Sequence, residues 1–416
     1  MQVAQDNKVF WRFLAGMWLF VKFHRSFNGI DGASREISRE ICVFFGRIFG
    51  CFIFFGKRLF FCPSTLDFIL ILLYNEGNQA RYATVQNLMQ MTGELKMYYL
   101  GIDLGGTNIA AGIVDENSKI LIKGSVPTLS NRDGKLIIKD MAELCKRLIN
   151  DMGITVDDIE YAGIATPGTA NSETGIVEYA NNLPFVDFPI ADLLKEYLGV
   201  KKVYIENDAN AAAKAEAVAG AAKGAKYSVM ITLGTGLGGG IVIDGKVYSG
   251  FNHAGGELGH VVIQKDGKQC SCGRKGCWEA YSSATGLVNM TKERLIEARE
   301  KGVKSLIDEM IGGDLNKVNA RVAFAAMKQG DELGAKIVDE YISYLASGVA
   351  TMINIFQPNV LSIGGGVCNE KDYLLIPLKE KVFAETYSKD PSKQTQIKIA
   401  ELGNDAGIVG AASLGL

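Results

Sequence analysis

The chain has 416 residues, enough for two domains of ordinary size, each with its own core. Its formal net charge of −2 gives no general attraction for nucleic acid or acidic lipid, and eight Cys in so long a chain do not make a disulfide scaffold. A reducing, cytoplasmic setting is expected, and any local cluster of cysteines then needs its own explanation.

The first part of the chain is unlike the rest. Fourteen of the twenty Phe lie before residue 69, and residues 1–62 carry nine Lys/Arg against four Asp/Glu, with no Pro. Its apolar runs, "FWRFLAGMWLFVKF" and "ICVFFGRIFGCFIFFG", are broken by Arg12 and Arg47 and are shorter than the about 20 residues a spanning helix needs. A membrane-surface anchor is one reading, so membrane contact is expected only if this piece belongs to the working protein. A DNA-binding arm is another, but the stretch that could start a helix-turn-helix runs into "KMYYLGIDLGG", a strand, where the recognition helix should follow. The expectation is that residues 1–96 stand outside the fold. Thr92-Gly93-Glu94 can be encoded by bases that spell a ribosome-binding site, which makes Met97 the expected natural start and the rest over-extended translation.

From Met97 the pattern is that of an α/β protein. "MYYLGIDLGG" is an apolar strand ending in a glycine turn, and "NIAAGIVDENSKILIKGSV" gives two more strands around the polar turn Asp115–Ser118. "KLIIKDMAELCKRLINDMG" has helical periodicity with Gly153 as its stop. "IEYAGIATPG" is a strand and turn, and "VKKVYIENDANAAAKAEAVAG" is a strand running into an Ala-rich helix. "KYSVMITLGTGLGGGIVIDGKVYSG" predicts a strand, a glycine loop and a hairpin whose Asp244-Gly245 turn suits type I′. Two long helical stretches, roughly 291–311 and 319–356, come next. "NVLSIGGGV" is a buried strand, and "DAGIVGAASLGL" is a terminal helix.

Three of these strands end in glycine: "IDLGGTN", "ITLGTGLGGG" and "SIGGGV". Glycine lets a ligand approach the main chain, and the N–H groups of such turns can cradle phosphate oxygens. None has the Gly-Lys-Ser/Thr ending of a P-loop. Asp103 beside the first turn is placed to hold Mg²⁺ directly or through water, and the hydroxyls of Thr107 and Thr235 can donate to phosphate. The series resembles the actin-like, hexokinase-type (ribonuclease H-like) ATPase fold, with two lobes, a mixed sheet in each, and a cleft between them. By that resemblance Gly105, Gly106 and Thr107 form one ATP phosphate turn, Gly234, Thr235 and Gly236 the other, and Gly364 and Gly365 lie near the nucleoside. It divides the chain into an N-terminal lobe, 97–217, with a helix at 404–416 packing back on it, and a C-terminal lobe, 218–403.

In "YIENDANAAA" the strand-to-helix junction falls at Asn207-Asp208, and either residue is a good helix N-cap. A sugar kinase also needs a carboxylate there to take a proton from the attacking hydroxyl, worth about 10²–10⁴-fold. Farther on, His260, Cys270, Cys272 and Cys277 fall within eighteen positions of a chain that has only three His. Four such ligands in one turn-rich loop suit a structural, tetrahedral Zn²⁺, whose binding would order residues 260–277. Glu257 and Glu279 flank the loop, and a metal on one imidazole nitrogen of His260 leaves the other as an oriented donor.

"HAGGELGH" followed by "CSCGRKGCWEA", with "NDAN" upstream, resembles the repressor/open-reading-frame/kinase family of bacterial sugar kinases, and the resemblance covers the chain from Met97 to Leu416. It implies Asp208 as general base and Asn207, Glu257, His260 and Glu279 as sugar ligands, with Asn182 in "NNLPF" and Gly168 in "ATPG" beside the sugar. It also implies ATP with Mg²⁺, a sugar partner, no nucleic acid, and a homo-oligomer, dimer or tetramer. Glucose phosphorylation at the 6-hydroxyl is the favoured activity. A kinase for N-acetylglucosamine, mannose or fructose, and a sugar-responsive transcription regulator, are the alternatives. Cys145 and Cys368 are expected as packing residues and His253 as a turn residue.

Overall fold

The computed structural model describes residues 97–416 and, ahead of them, only the short strand segments Cys42–Val43, Cys51–Phe55, Arg58–Cys62, Leu70–Tyr74 and Ala80–Thr84. The chain separates into two compact units, Met1–Leu95 and Lys96–Leu416. The readings of residues 1–96 as anchor, DNA-binding arm or over-extended translation lie outside the described residues. All candidate site residues belong to the second unit, which is built on two five-stranded sheets.

The first sheet begins with a meander of β1 (Tyr98–Leu104), β2 (Asn108–Val114) and β3 (Ile120–Pro127). The polar turn expected between β2 and β3 is tied by Asp115, which accepts from the N–H groups of Asn117 and Lys119. β3 alternates strictly between partly covered and exposed positions, as an edge strand with one covered face should. That face meets α1 (Gly134–Asp151), whose Ile137, Ile138, Met141, Leu144 and Leu148 are buried at helical spacing. Gly153, at φ 72°, ends the helix. β4 (Ile159–Thr166) is followed by a small sheet of β5 (Thr169–Asn171), β6 (Ile176–Tyr179) and β7 (Val186–Phe188), then by α2 (Ile190–Leu198) and β8 (Val203–Asn207). β4 runs parallel to β1 and β8 parallel to β4, so the order is β8-β4-β1-β2-β3.

After α3 (Asp208–Ala219) the second sheet opens in the same way, with β9 (Tyr227–Leu233), β10 (Leu237–Ile243) and β11 (Lys246–Val247). Asp244 and Gly245 both have positive φ, 52° and 74°, as a type I′ turn requires. The chain then passes through α4 (Glu279–Ser282), α5 (Ala284–Glu300), α6 (Leu306–Met310), α7 (Val322–Lys328) and α8 (Glu332–Phe356). The two long helices expected here are therefore each broken. Gly302 and Gly330 take φ of 67° and 86°, and the carboxylate of Asp331 caps α8 through Gly334 N–H while also holding Leu306 N–H. β12 (Val360–Gly364), α9 (Asp372–Glu385) and β13 (Gln396–Ile399) follow, giving the order β11-β10-β9-β12-β13. Each sheet is thus a meander whose first strand is central, extended by two parallel strands.

The last helix, α10 (Ala406–Ala412), lies on β1 and β4, while α3 lies on β9 and β10. By packing, α3 goes with the second sheet, so the chain changes lobe at Asn207–Asp208 rather than after residue 217. The two helices meet through small residues: a Cβ on Gly410 would come within 1.9 Å of Ala211 O, and Ala165, Ala211 and Ala411 are buried together. Two large separate cores fill the lobes, one around Ile137 and Phe185, the other around Trp278, Phe324 and Tyr341. Among the described residues no helix is long and apolar enough to cross a membrane.

Candidate active site

Because β1, β9 and β12 are central in their sheets, their glycine ends fall at the carboxyl edges of parallel strands, where α/β folds place ligands. In the first turn Gly105 N–H donates to Asn108 O at 2.9 Å, and Thr128 fastens the turn by donating to Gly105 O at 2.6 Å. Thr107 is exposed. In the second turn Gly234 N–H donates to Gly236 O at 3.0 Å, and the start of α5 holds it through Ala284 N–H to Gly234 O and Thr285 Oγ1 to Thr235 O. The third run packs against it: β12 pairs with β9, and a Cβ on Gly365 would lie 2.4 Å from Leu233 O. Asn182, exposed, sits with its β-carbon beside Gly106, next to the first phosphate turn.

Asp103 is the last residue but one of β1, and Gly407 at the start of α10 packs so closely that a Cβ would lie 2.3 Å from its carboxyl carbon. Burial, and then the charge of Asp208, push the Asp103 carboxyl up to about 6. A carboxylate this reluctant to ionise, set beside a phosphate turn, fits a divalent cation, which would supply the missing positive charge. Mg²⁺ commonly uses one or two carboxylates and completes its shell with phosphate and water.

The junction after β8 divides its labour between two residues. Asn207 is the N-cap, its Oδ1 accepting from Ala209 N–H at 2.9 Å and Asn210 N–H at 3.2 Å, while its Nδ2 donates to Gly168 O at 3.1 Å. Asp208 is left as the first residue of the helix. Its Oδ1 accepts from Ala209 N–H at 2.8 Å, and the group opens onto a cavity of about 90 Å³ lined by Asn207, Asp208, Gly238, Gly239, Gly255, Gly256 and Glu257. The concave surroundings, and the like charge of Glu257, raise the Asp208 pKa above the ordinary carboxylate value.

His260 stands between this cavity and the cysteine loop. Its Nε2 is 4.0 Å from Glu257 Oε2, and its Nδ1 is 3.7 Å from Cys270 Sγ. The donor atoms of His260, Cys270, Cys272 and Cys277 all lie within 4.8 Å of one another, and Cys272 and Cys277 Sγ are 3.7 Å apart. Metal–sulfur bonds of about 2.3 Å at tetrahedral angles put neighbouring sulfurs about 3.8 Å apart, so the donor set fits Zn²⁺. The loop folds back through a tight turn, Cys270 N–H to Arg274 O at 2.9 Å, and Gly276, with φ 81°, passes so close to Gln264 O that a Cβ would clash at 1.8 Å.

Glu279 joins the loop to the second phosphate turn. Its Oε2 accepts from Leu237 N–H at 2.9 Å and its Oε1 from Ser271 Oγ at 3.1 Å. Asn207, Asp208, Glu257 and His260 are thus brought together, Glu279 lies beside them at the end of the cysteine loop, and Asn182 stays with the first glycine turn.

Sequence reasoning missed Glu206 and Asn210. Glu206, buried, accepts from Asn207 N–H at 2.9 Å and Asn210 Nδ2 at 3.1 Å, behind Asn207 and Asp208. No signal in its own stretch marked it, since Tyr204, its neighbour on the same side of β8, is exposed. His253 is a turn residue at φ 57°, and its Nδ1 also reaches to 3.5 Å from Ser172 Oγ. Cys145 and Cys368 are packing residues, buried, with thiols pushed up to about 12 by that burial.

Two sheets of matching order around paired helices, with glycine turns facing a cleft, define the actin-like, hexokinase-type ATPase fold. The sequence model of the ROK family matches residues 99–416, and the chain belongs to that family. It is 37% identical to a glucokinase of Thermotoga maritima, over 77% of this chain and 97% of that protein. It is 34% identical to a glucokinase of Halalkalibacterium halodurans, over 76% and 94% respectively. Among solved structures it is similar to a ROK family glucokinase from Streptomyces griseus in complex with glucose and AMPPNP, at 33% identity and a TM-score of 0.62, covering 76% of this chain and 98% of that one.

Proposed function

We propose that the protein is an ATP-dependent glucokinase, transferring the γ-phosphoryl group of ATP to the 6-hydroxyl of D-glucose. The observation that carries this reading is that Asp208 and Glu257 share one cavity beside His260, in a chain whose similar relatives include glucokinases. Asp208 takes the proton of the 6-hydroxyl on its uncapped oxygen, and its raised pKa brings its basicity closer to that of a working general base. The remaining hydrogen of Asn207 Nδ2, the carboxylates of Glu257 and Glu279, and His260 Nε2 hold sugar hydroxyls, with Asn182 closing the site from the phosphate side. Gly105, Gly106, Thr107, Gly234, Thr235 and Gly236 present N–H and hydroxyl donors to the phosphates, and Gly364 and Gly365 border the nucleoside. Asp103 would hold Mg²⁺, which neutralises phosphate charge when bound. His260, Cys270, Cys272 and Cys277 would hold a structural Zn²⁺, fixing the imidazole so that its Nε2–H faces the sugar. Three thiolate ligands go with a reducing, cytoplasmic setting. Rate acceleration then comes from positioning and electrostatics in a cleft closed to water.

The test is a coupled ADP-release assay over glucose, N-acetylglucosamine, mannose and fructose. The highest kcat/KM is expected with glucose. Absence of turnover with every sugar, or a higher kcat/KM with another hexose, overturns the assignment.

A further inference from the structure

The backbone passes between lobes twice, at opposite ends of the helix that carries Asp208. The first crossing is the junction of β8 with α3; the second is the stretch 400–405, between β13 and α10. Glu216 sits on α3, roughly 12 Å along the helix from Asp208 at 1.5 Å per residue. It is fully buried. Its carboxylate accepts from Glu401 N–H at 3.0 Å, Leu402 N–H at 2.9 Å and Ala221 N–H at 2.7 Å. The carbonyl of Ala221 is in turn held by Lys398 Nζ at 3.0 Å. The end of α3 and the second crossing are therefore laced together by one side chain. Gly220 leaves room for it, since a Cβ there would lie 2.1 Å from Glu216 Oε2. A buried carboxylate is costly unless several donors meet it, and here they come from the end of α3 and from the second crossing, a segment that a lobe movement must bend.

The residues beyond the clamp complete the device. Gly403 has φ 53°, with open space where a Cβ would point. Asp405, two residues on, is tied to Lys123 of β3 at 2.5 Å, on the other lobe. Leu402 is thus fixed to α3 and Asp405 to the first sheet, and between these anchors lies a single 3-10 turn, Gly403–Asp405, closed by Asp405 N–H donating to Leu402 O at 3.0 Å.

We infer that Glu216 is a positioning residue for phosphoryl transfer: it clamps Glu401 and Leu402 to α3 so that the lobes close about Gly403, bringing Asp103 and the first phosphate turn to Asp208. This rests on the kinase reading. Asp208, Glu257 and His260 lie on the α3 side of the pivot and only Asn207 and Asn182 of the sugar contacts lie across it, so sugar binding leans on the clamp far less than alignment with ATP does.

The experiment compares wild type with Glu216→Gln and Gly403→Ala. It measures glucose affinity without nucleotide, kcat at saturating ATP and glucose, and the decrease in radius of gyration on adding glucose together with a non-hydrolysable ATP analogue, by small-angle X-ray scattering. Both variants are expected to keep glucose affinity within about threefold and to lose at least about tenfold in kcat, with a smaller compaction than wild type. If Glu216→Gln fails to fold, Gly403→Ala, whose Cβ meets no neighbour although the φ of 53° strains it, carries the test of the pivot. A variant with a lowered melting temperature but wild-type kcat and compaction reduces Glu216 to a structural cap and overturns the inference. Wild-type turnover in the same assay tests the kinase reading, and the variant-to-wild-type difference in compaction tests the pivot, so either can fail alone.

Discussion

Asp208, the first residue of α3, and Glu257, at the end of the glycine loop after β11, line the same small cavity, and the charge of Glu257 helps to raise the Asp208 pKa. The pairing depends on Asn207 taking the helix cap, since an Asp208 spent on capping could not face the sugar. A like charge beside Asp208 in a concave site makes its carboxylate a better proton acceptor than it would be in water.

Replacement of Asp208 by Asn keeps the shape and removes the base. Glucose binding should persist, and kcat should fall by at least about 100-fold. Isothermal titration with glucose and steady-state kinetics check the two halves; near-normal turnover would remove Asp208 from the mechanism.

Glu257→Gln loses a charged acceptor for a sugar hydroxyl, a bond worth about 1.5–3 kcal/mol, so kcat/KM for glucose should drop about 10- to 100-fold with little change in KM for ATP. The same variant removes one of the charges that raise Asp208. The acid limb of its pH profile should therefore move to lower pH, and a limb that stays put or moves upward contradicts the coupling.

Asp103 titrates at about 6 in the folded protein against an ordinary value near 3.8. The folded state then holds its proton more tightly than the unfolded state, so the Asp103 contribution to stability declines as pH rises through that window. Asp103→Asn should be more stable than wild type at pH 7.5, by on the order of 2 kcal/mol, with the gap narrowing toward pH 4. Thermal melts at several pH values measure this. Activity should run the other way, wild-type kcat/KM for ATP falling below about pH 6 as the proton competes with the cation, and the variant being weak throughout.

About one zinc per chain should copurify with the protein, and Cys277→Ser should lose it. Elemental analysis reads the metal. Far-UV circular dichroism should be nearly unchanged, while KM for glucose should rise at least about tenfold as His260 and Glu257 lose their support. Purified wild type without metal would defeat the assignment of the loop.

How much of this was legible from the chain follows from how local each feature is. The metal ligands fall within eighteen consecutive positions, the phosphate turns are short glycine runs at strand ends, and Asp244-Gly245 is a hairpin turn by its own backbone preferences. Each is decided by neighbouring residues, so composition and spacing reveal it. The breaks at Gly302 and Gly330 were hidden because the apolar rhythm continues across them, and the Asp331 carboxylate that stabilises the second break also draws in Leu306, which is remote in sequence.

The chain's own pattern carried the strands that end in glycine, the Asp244-Gly245 turn and the clustering of His260 with three Cys, but not the strands Thr169–Asn171, Ile176–Tyr179, Val186–Phe188 and Gln396–Ile399. Packing alone settled that Asn207 caps while Asp208 faces a cavity, that Glu279 reaches the N–H of Leu237, and that Glu216 joins the end of α3 to the start of the second crossing. Those outcomes depend on donors and acceptors brought together by sheet order and helix packing. A buried carboxylate accepts whichever N–H groups the fold delivers to it, and nothing in its own stretch of chain says which those will be.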